Sequence, residues 1–402
     1  MPESYIVLSA KKAVNVPRTR SIFGAAPADG QPGFKSIESI EPSSVNVSFE
    51  KLDPGKAERL RKDNPEVLSV TPVMPLRLIT PKDKKKKEGT TGGIAWGIQA
   101  VGADKSTFTG KDVKVAVLDT GIHRAHPCFN GIDIIEEDFT NDGNGDIDGH
   151  GTHVAGTIFG KDTFGTRIAV APGISQALIA KVIGRNGGDS GSIVKAINWA
   201  LGKGANVICM SLGIDFPGYV AELVADNWKV EAATSIALEG YRKNVLLFED
   251  IAELVKTSAL AGVNEPALLF AASGNESDHP HYKISVSPPA VSEGFVSVGA
   301  LGQRGDGWEL ASFSNVGPSL SAPGVDILSA DLQNGLTELS GTSMATPHVA
   351  GVAALWVQKM KEMRRFTAEQ LKTNLIYNAE INGIHRYNIE DFGAGMVQAP
   401  LR

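Results

Sequence analysis

The sequence predicts an α/β protein in which a parallel sheet carries helices on both faces, preceded by a small α+β unit. Three observations lead to this prediction. After about residue 94, short apolar runs alternate with helix-like segments, a pattern typical of parallel sheets. A lysine- and glycine-rich stretch at 81–93 separates this region from the residues before it. The chain has 402 residues, of which 42% are hydrophobic, enough for one large domain and a small one.

The small unit occupies residues 1–80. YIVLSA and VNVSFEKL predict two strands, and DPGKAERLRKDNPEV predicts a helix because Asp-Pro is a favourable helix start. LSVTPVMPLRLI predicts extended chain interrupted by prolines. A unit of this size is marginally stable alone, so we expect it to dock on something larger.

The stretch PKDKKKKEGTTGG, residues 81–93, has no apolar residue to anchor it. Its composition predicts a solvated linker that is open to proteolysis.

Residues 94–402 carry the alternating pattern. The predicted strands are DVKVAVLDTG, ALIAKVIG, NVICMSLG, ALLFAASGN and GFVSVGAL, and the predicted helices are THVAGTIFG, GSIVKAINWALGKG and most of 219–261. In open parallel sheets, ligands bind outside the carboxyl ends of the strands. We therefore look for functional side chains at those ends.

Composition excludes several classes of function. A net charge of −6 gives no indication of nucleic acid or an acidic membrane surface, and no segment approaches the length of a membrane span. Two cysteines do not make a disulfide framework, and we expect no organic cofactor. The start MPESYIVLSAKK does not have the form of a leader. The expected location is cytoplasmic if Met1 is the natural start, and secreted if a leader was removed.

Three residues are candidates for catalysis. Asp119 ends a predicted strand, His150 opens a small-residue helix, and Ser343 precedes another helix. Alone, each has an ordinary explanation as a turn former, a structural histidine or a helix cap. Together they supply what nucleophilic catalysis needs: a serine, an imidazole that takes its proton, and a carboxylate that fixes the imidazole tautomer.

A fourth candidate is Asn275 in AASGNE, which follows a strand and a glycine. Its amide is a candidate donor to a developing oxyanion, with the Ser343 backbone N–H as the second donor. Considered alone, Asn275 is better explained as a turn residue.

The blocks VAVLDTGI, HGTHVAGT, SLG, AASGNE and GTSMATPHVAG resemble those of subtilisin-like serine proteases, from about Trp96 to the end of the chain. The chain order Asp, His, Ser is the one known for subtilisin. The resemblance implies a three-layer subtilisin-like fold with about seven parallel strands, and hydrolysis of peptide bonds through an acyl-enzyme. It implies that Asp119, His150 and Ser343 form the triad and that Asn275 binds the oxyanion.

The same resemblance implies the residues that bind a protein or peptide substrate, with apolar or aromatic side chains preferred before the cut. They are the edge Ser211, Leu212 and Gly213, the segment Ala272, Ser273 and Gly274, and a cis-proline, Pro289, near the pocket for the residue before the cut.

Residues 1–80 resemble the pro-segment of this family, which assists folding and then acts as an intramolecular inhibitor. The resemblance implies that the tail Leu76–Thr80 lies in the cleft as product. We predict cleavage between about Arg77 and Gly93.

Two parts of the sequence bear on calcium binding. The family's tight calcium site uses an Asp after His-Pro, where this chain has Cys128, and its other ligand positions also differ, so we expect that site to be absent. In FTNDGNGDIDGHG, acidic and amide residues recur every second position, a spacing that gathers oxygen ligands around calcium; an acidic surface loop is the alternative. The candidate ligands are Asp142, Asn144, Asp146 and Asp148.

Residues 215–262 form an insertion relative to subtilisin, and apolar residues at helical spacing predict a helical pair with a buried stripe. We favour a packing elaboration over a lid or exosite. Two alternatives to a peptidase remain: a catalytically quiet binding scaffold with a permanently bound pro-segment, and acyl transfer to amines in place of water.

Overall fold

The computed structural model describes residues 3–10, 45–82, 84–86 and 92–402. The chain divides into two compact units, Met1–Val70 and Thr71–Arg402.

The first unit is a small three-stranded sheet with one helix. Its elements are β1 (Glu3–Ala10), β2 (Val45–Leu52), α1 (Pro54–Asp63) and β3 (Val67–Pro72), in the strand order β2-β1-β3. Helix α1 begins after Asp53, whose carboxylate accepts the Lys56 N–H at 3.0 Å. Both predicted strands and the helix that starts at Asp-Pro are present. The last two residues of β3 belong to the second unit.

The second unit contains the remaining elements. The first of these are β4 (Pro75–Leu78), β5 (Lys84–Lys86), β6 (Gly93–Ile94), α2 (Trp96–Ala100), β7 (Val115–Asp119), β8 (Asp133–Asp138), α3 (His150–Phe159), β9 (Thr166–Arg167), β10 (Gln176–Lys181), β11 (Gly188–Asp189), α4 (Ser190–Gly202), β12 (Val207–Met210) and β13 (Leu212–Ile214). They are followed by α5 (Phe216–Ala225), α6 (Val230–Leu260), β14 (Leu268–Ala272), β15 (Phe295–Arg304), β16 (Gly307–Leu310), β17 (Leu320–Pro323), β18 (Ile327–Ala330), β19 (Leu336–Leu339), α7 (Thr342–Glu362), α8 (Ala368–Tyr377) and α9 (Ile389–Phe392).

A large sheet forms the centre of this unit, with the strand order β16-β15-β14-β12-β7-β10-β8 and β17 paired to β15. Within the described residues, seven of its strands run parallel and β16 alone runs antiparallel. The prediction of about seven parallel strands is therefore confirmed. The order is that of a doubly wound sheet, in which the carboxyl ends of β7, β12 and β14 lie side by side.

Both faces of the sheet are covered. Val115 and Val117 of β7 join the core cluster that includes residues of α3 and α7, whereas Ala116 and Leu118 are fully buried outside that cluster. Because alternate strand residues point to opposite faces, apolar cover is needed on each side. Helices α3 and α7 pack against one another, and α4 contacts β7 and β10.

The insertion is a pair of helices, as predicted: α5 and the 31-residue α6, which pack together. Its buried stripe follows helical spacing through Ala233, Ala237, Gly240 and Asn244. Further along α6, the Phe248 ring packs edge to face on the ring of Phe295 in β15, with ring centroids 6.0 Å apart. The pair is thus anchored on the sheet by one face of α6.

None of the helices in the described residues is long and apolar enough to span a membrane. Cys128 and Cys209 are both buried and free.

Candidate active site

Asp119 and His150 lie next to each other at the carboxyl end of β7. Nδ1 of His150 is 2.8 Å from Oδ1 of Asp119, and both side chains are buried. Oδ1 of Asp119 also accepts the Thr120 N–H at 2.8 Å. A carboxylate acts only as an acceptor, so the imidazole donates from Nδ1, which leaves Nε2 as the acceptor nitrogen.

Glycine makes this close approach of α3 to β7 geometrically allowed. A Cβ on Gly151 would overlap the carbonyl oxygen of Gly121 and lie 3.2 Å from Cβ of Asp119. Gly149, which precedes the helix, has φ of 101°, a conformation that favours glycine. Gly151 of the HGTH block is therefore required because the helix backbone packs closely against the end of the strand.

The carboxylates around His150 favour its protonated form. Burial disfavours the imidazolium, but the Asp119 carboxylate and its hydrogen bond outweigh burial, and Asp148 and Asp146 add to their effect. The pKa of His150 is consequently raised above its ordinary value. A base with a raised pKa binds a proton more readily, which suits general-base chemistry.

Ser343 is buried near the start of α7, and it is not the helix cap, since the N-cap position is Gly341. Its Oγ lies 3.1 Å from the carbonyl oxygen of Ile79 and 3.3 Å from that of Ser211. Nε2 of His150 is buried and has no hydrogen-bond partner among the described residues. Of the three predicted catalytic residues, Asp119 and His150 are hydrogen-bonded to each other. The Ser343 hydroxyl faces the Ile79 carbonyl instead of the imidazole.

The Asn275 side chain is hydrogen-bonded to both the tail and the start of α7. Its Nδ2 donates to the carbonyl oxygen of Thr80 at 3.1 Å. Its Oδ1 accepts both the backbone N–H and the hydroxyl of Thr342, each at 2.9 Å. Two donors on Oδ1 fix the amide orientation, so Nδ2 must point at the Thr80 carbonyl. Thr342 escaped the sequence analysis, although it stands directly before Ser343.

Asn315 stabilises the loop that carries Asn275. It was not predicted from the sequence. Its Oδ1 accepts the N–H groups of Glu276 and Ser277 at 3.1 and 3.0 Å, and its Nδ2 donates to Glu276 at 2.6 Å. Gly274 has φ of 114°, and a Cβ there would lie 2.2 Å from Nδ2 of Asn315. No sequence signal separates Asn315 from an ordinary turn asparagine.

Leu76–Leu78, the first part of the tail predicted to lie in the cleft, belong to strand β4. It lies between β11 and β13 and is antiparallel to both, with Leu78 opposite Leu212 and Arg77 opposite Gly213. Leu212 and Gly213 of the predicted edge, together with Ile214, thus pair through their backbone with an extended segment that belongs to the chain itself, whereas Ser211 lies outside this pairing.

The other predicted binding residues lie at the end of β14 and in the Pro288–Pro289 segment. Ala272, Ser273 and Gly274 are buried at the end of β14. The Pro288–Pro289 bond is cis, and the Pro288 carbonyl accepts the Ile214 N–H at 2.9 Å. Pro289 itself does not line the cavity beside the tail, whereas Ser287 does.

The candidate calcium ligands do not converge. Oδ1 of Asp146 accepts the Thr120 hydroxyl, and Oδ2 accepts the Thr152 N–H and hydroxyl at 2.9 and 2.6 Å. Burial raises the pKa of Asp146, but hydrogen bonds from Gly149, Thr152 and Asp148 outweigh burial and lower it. The Asp146 carboxylate therefore serves as a structural acceptor that ties the loop to α3.

A lysine ammonium group is hydrogen-bonded to the backbone of this loop. Nζ of Lys181, a buried residue, lies 3.0 Å from the Gly143 carbonyl and 3.1 Å from the Gly145 carbonyl. Asp142 accepts the Arg185 N–H at 2.6 Å. Among the described residues, no group of three His, Cys, Asp or Glu side chains is arranged to hold a metal ion. The donors present do not fit calcium here.

His153, three residues after His150, is also structural. Its Nε2 lies 2.9 Å from the Ile327 carbonyl and 3.2 Å from the Thr337 carbonyl, joining α3 to β18 and β19. Burial is the main cause that lowers its pKa, to about 3, so the ring is neutral.

Comparison with known proteins places the chain in a family. The model of the subtilase family matches residues 110–396. M-protease of Shouchella clausii is 36% identical over 316 residues, which cover 76% of this chain and 69% of the relative. The major intracellular serine protease of Bacillus subtilis is 36% identical over 259 residues, covering 61% and 68%. Subtilisin DY of Bacillus licheniformis is 32% identical over 313 residues, covering 76% and 96%. The chain belongs to the subtilase family and is a subtilisin-like serine endopeptidase.

Proposed function

We propose that Asp119, His150 and Ser343 form the catalytic triad of this endopeptidase, with Asn275 as an oxyanion donor. The observation that carries the proposal is the Thr80 carbonyl, which accepts from Nδ2 of Asn275 at 3.1 Å within the groove that contains Ser343. A peptide carbonyl bound in this way is polarised at its carbon, which is the atom that a serine oxygen attacks.

In the proposed reaction, Ser343 Oγ attacks the carbonyl carbon while Nε2 of His150 takes the hydroxyl proton. Asp119 holds the Nδ1–H and stabilises the imidazolium. The oxyanion is bound by Nδ2 of Asn275 and the Ser343 N–H. His150 then gives the proton to the leaving amine, and a water molecule, activated by the same imidazole, hydrolyses the acyl-enzyme.

In this structure the Ser343 hydroxyl is not hydrogen-bonded to the imidazole of His150. The Ser343 hydroxyl is within bonding distance of the Ile79 carbonyl, and Nε2 of His150 has no partner among the described residues. In the proposed reaction the Ser343 hydroxyl must leave the Ile79 carbonyl and donate to Nε2 instead. Catalytic hydrogen bonds are often long before the productive complex forms.

We further propose that the protein is made as a zymogen and that its pro-segment, residues 1–80, acts as the intramolecular inhibitor. Support comes from the pairing of β4 with the groove on one side of Thr80. On the other side, the Lys82 N–H donates to the Ser340 carbonyl at 2.9 Å, and β5 pairs with β19. A substrate must displace this segment, and we propose that cleavage between about Arg77 and Gly93 releases it.

The experiment is the intact mass of the purified chain over time, beside Ser343→Ala. If only the serine form loses about 80 to 90 amino-terminal residues, the zymogen proposal and the role of Ser343 both stand. If both forms stay whole, labelling with a fluorophosphonate separates the remaining cases. A chain that labels has a working serine and needs another protease for release; a chain that neither processes nor labels supports the binding-scaffold alternative. Product analysis with added amines tests acyl transfer.

A further inference from the structure

Within the described residues, Arg77 makes the one side-chain ion pair between the tail and the insertion. Its Nε is paired with Oδ2 of Asp215, the residue that precedes α5. The Asp215 side chain is only 12% exposed, while the Arg77 side chain is 68% exposed. The Asp215 carboxylate is thus part of the groove wall, and the Arg77 side chain belongs to the segment that binds in the groove.

Helix α5 holds the Asp215 carboxylate in place. Oδ1 of Asp215 accepts the Gly218 N–H at 3.0 Å as the N-cap of that helix, which leaves Oδ2 facing the arginine. A capping carboxylate has little rotational freedom, so its second oxygen is presented at a set position. The first residues of the insertion therefore build this part of the groove.

Gly218 supplies the space that the basic side chain occupies. A Cβ on Gly218 would overlap Oδ2 of Asp215 and lie 2.5 Å from Nη2 of Arg77. Its φ is not in the left-handed region, so backbone conformation does not require glycine here. Any side chain at this position would compete with the guanidinium for the same volume.

The surrounding cavity, of about 630 Å³, is otherwise mostly apolar and includes Phe216, Leu238 and Tyr241. Glu276 also lines it, but its Oε2 accepts from Nδ2 of Asn315 at 2.6 Å. Asp215 is therefore the carboxylate that is turned towards an incoming cationic side chain.

From these contacts we propose that Asp215 determines specificity, selecting peptides with Arg or Lys three residues before the one whose carbonyl meets Asn275. In the tail these two positions are Arg77 and Thr80. The proposal rests on the proposed function, because it assumes that substrates bind where β4 lies. Since Arg77 is largely exposed, the pair is screened by water, and we expect a preference of about three- to fivefold.

The first test compares two peptides that differ only in Arg or Gln at that position. On self-processed protein, kcat/KM should favour the Arg peptide, and Asp215→Asn should bring the ratio near one. Asn is as good an N-cap as Asp, so this variant removes the charge and keeps the helix start. Glu222→Gln, which removes an exposed charge elsewhere on α5, should keep the wild-type ratio. A wild-type ratio near one, or a ratio that survives in Asp215→Asn, overturns the proposal.

The second test does not depend on catalysis. In the full chain carrying Ser343→Ala, amide hydrogen exchange across Leu76–Leu78 reports how firmly β4 is held. Arg77→Gln and Asp215→Asn should each speed exchange, and the double variant should be no faster than either single one. Independent, additive effects would overturn the proposal even if no peptide were cut. If Arg77 and Asp215 prove coupled in the exchange measurement but no peptide is cleaved, the result would instead count against the proposed function.

Discussion

Nδ2 of Asn275 lies 3.1 Å from the Thr80 carbonyl oxygen, although the two residues are 195 positions apart in the chain. This contact defines which carbonyl of the tail stands at the candidate catalytic centre. The next bond along the chain joins Thr80 to Pro81.

Replacing Asn275 by Ala should lower kcat by about 10²- to 10³-fold with little change in KM, since an oxyanion donor acts mainly in the transition state. Thr342→Val is the matched control. It removes one of two donors that orient the amide and leaves the backbone N–H in place, so the loss should be below about tenfold. Both are measured on a chromogenic peptide after wild-type enzyme has removed the tail in trans. An equal loss in both variants would contradict the assigned role.

The acid limb of kcat/KM should follow His150, because only the neutral imidazole can accept the serine proton. The pKa of His150 is raised. On acidification, activity should therefore be lost at a higher pH than it would be with a histidine of ordinary pKa. Asp148→Asn removes a carboxylate that raises this pKa and keeps an oxygen that can accept the His150 N–H. The limb should therefore move to lower pH. A pH–rate profile measures it, and a shift to higher pH would be incompatible with this electrostatic account.

Pro81→Ala should speed self-cleavage after Thr80 severalfold or more. The proline ring crowds the nitrogen that His150 must protonate, and it fixes φ of the residue that follows the cut. Intact mass should then show a new amino terminus at position 81 of the variant. Lys82→Ala alters the neighbouring residue without changing that bond, and it should leave the position of the cut as it is in wild type. If the variant's bond after Thr80 stays uncut, the tail is held in a register unsuited to attack.

Lys181→Met should destabilise the protein by about 1–3 kcal/mol, because it leaves the Gly143 and Gly145 carbonyls without their donor. Lys203→Met, at an exposed position, should change stability by no more than about 0.5 kcal/mol. Urea unfolding in the Ser343→Ala chain avoids self-digestion during the measurement. Matching midpoints for the two variants would show that the ammonium is dispensable.

Chelation provides a separate test of the 142–148 loop. Because Asp146 and Asp142 already accept hydrogen bonds and Lys181 satisfies the loop carbonyls, EGTA should leave the unfolding temperature of the Ser343→Ala chain unchanged. A fall in that temperature, reversed by added calcium, would restore the loop as a metal-site candidate.

The site residues that the sequence predicts are those with a local signal. Asp119 ends a buried strand, and His150 and Ser343 open helices of small residues, so position and residue type together indicated chemistry. The helical insertion was likewise predictable from apolar spacing. Backbone pairing of the tail followed from the family resemblance.

What sequence could not supply was the choice of partner across the fold. The alternating acids at 142–148 had calcium-like spacing, but spacing does not reveal which oxygens already accept N–H groups from other elements. Asp215 lies far from Arg77 in the chain, and Asn315 bonds Glu276, which stands 39 positions before it. Each contact depends on how the sheet and insertion pack. Such pairings are tertiary, so no local pattern records them.

The tail is joined to the site that it fills, which affects how strongly it must bind. A tethered segment faces its groove at an effective concentration of about millimolar, so modest contacts are enough to keep it seated. Once the chain is cut between β4 and β6, that advantage disappears, and occupancy falls as the solution is diluted. Activation would then have two stages, scission followed by dissociation, and the second would depend on protein concentration even though the first does not.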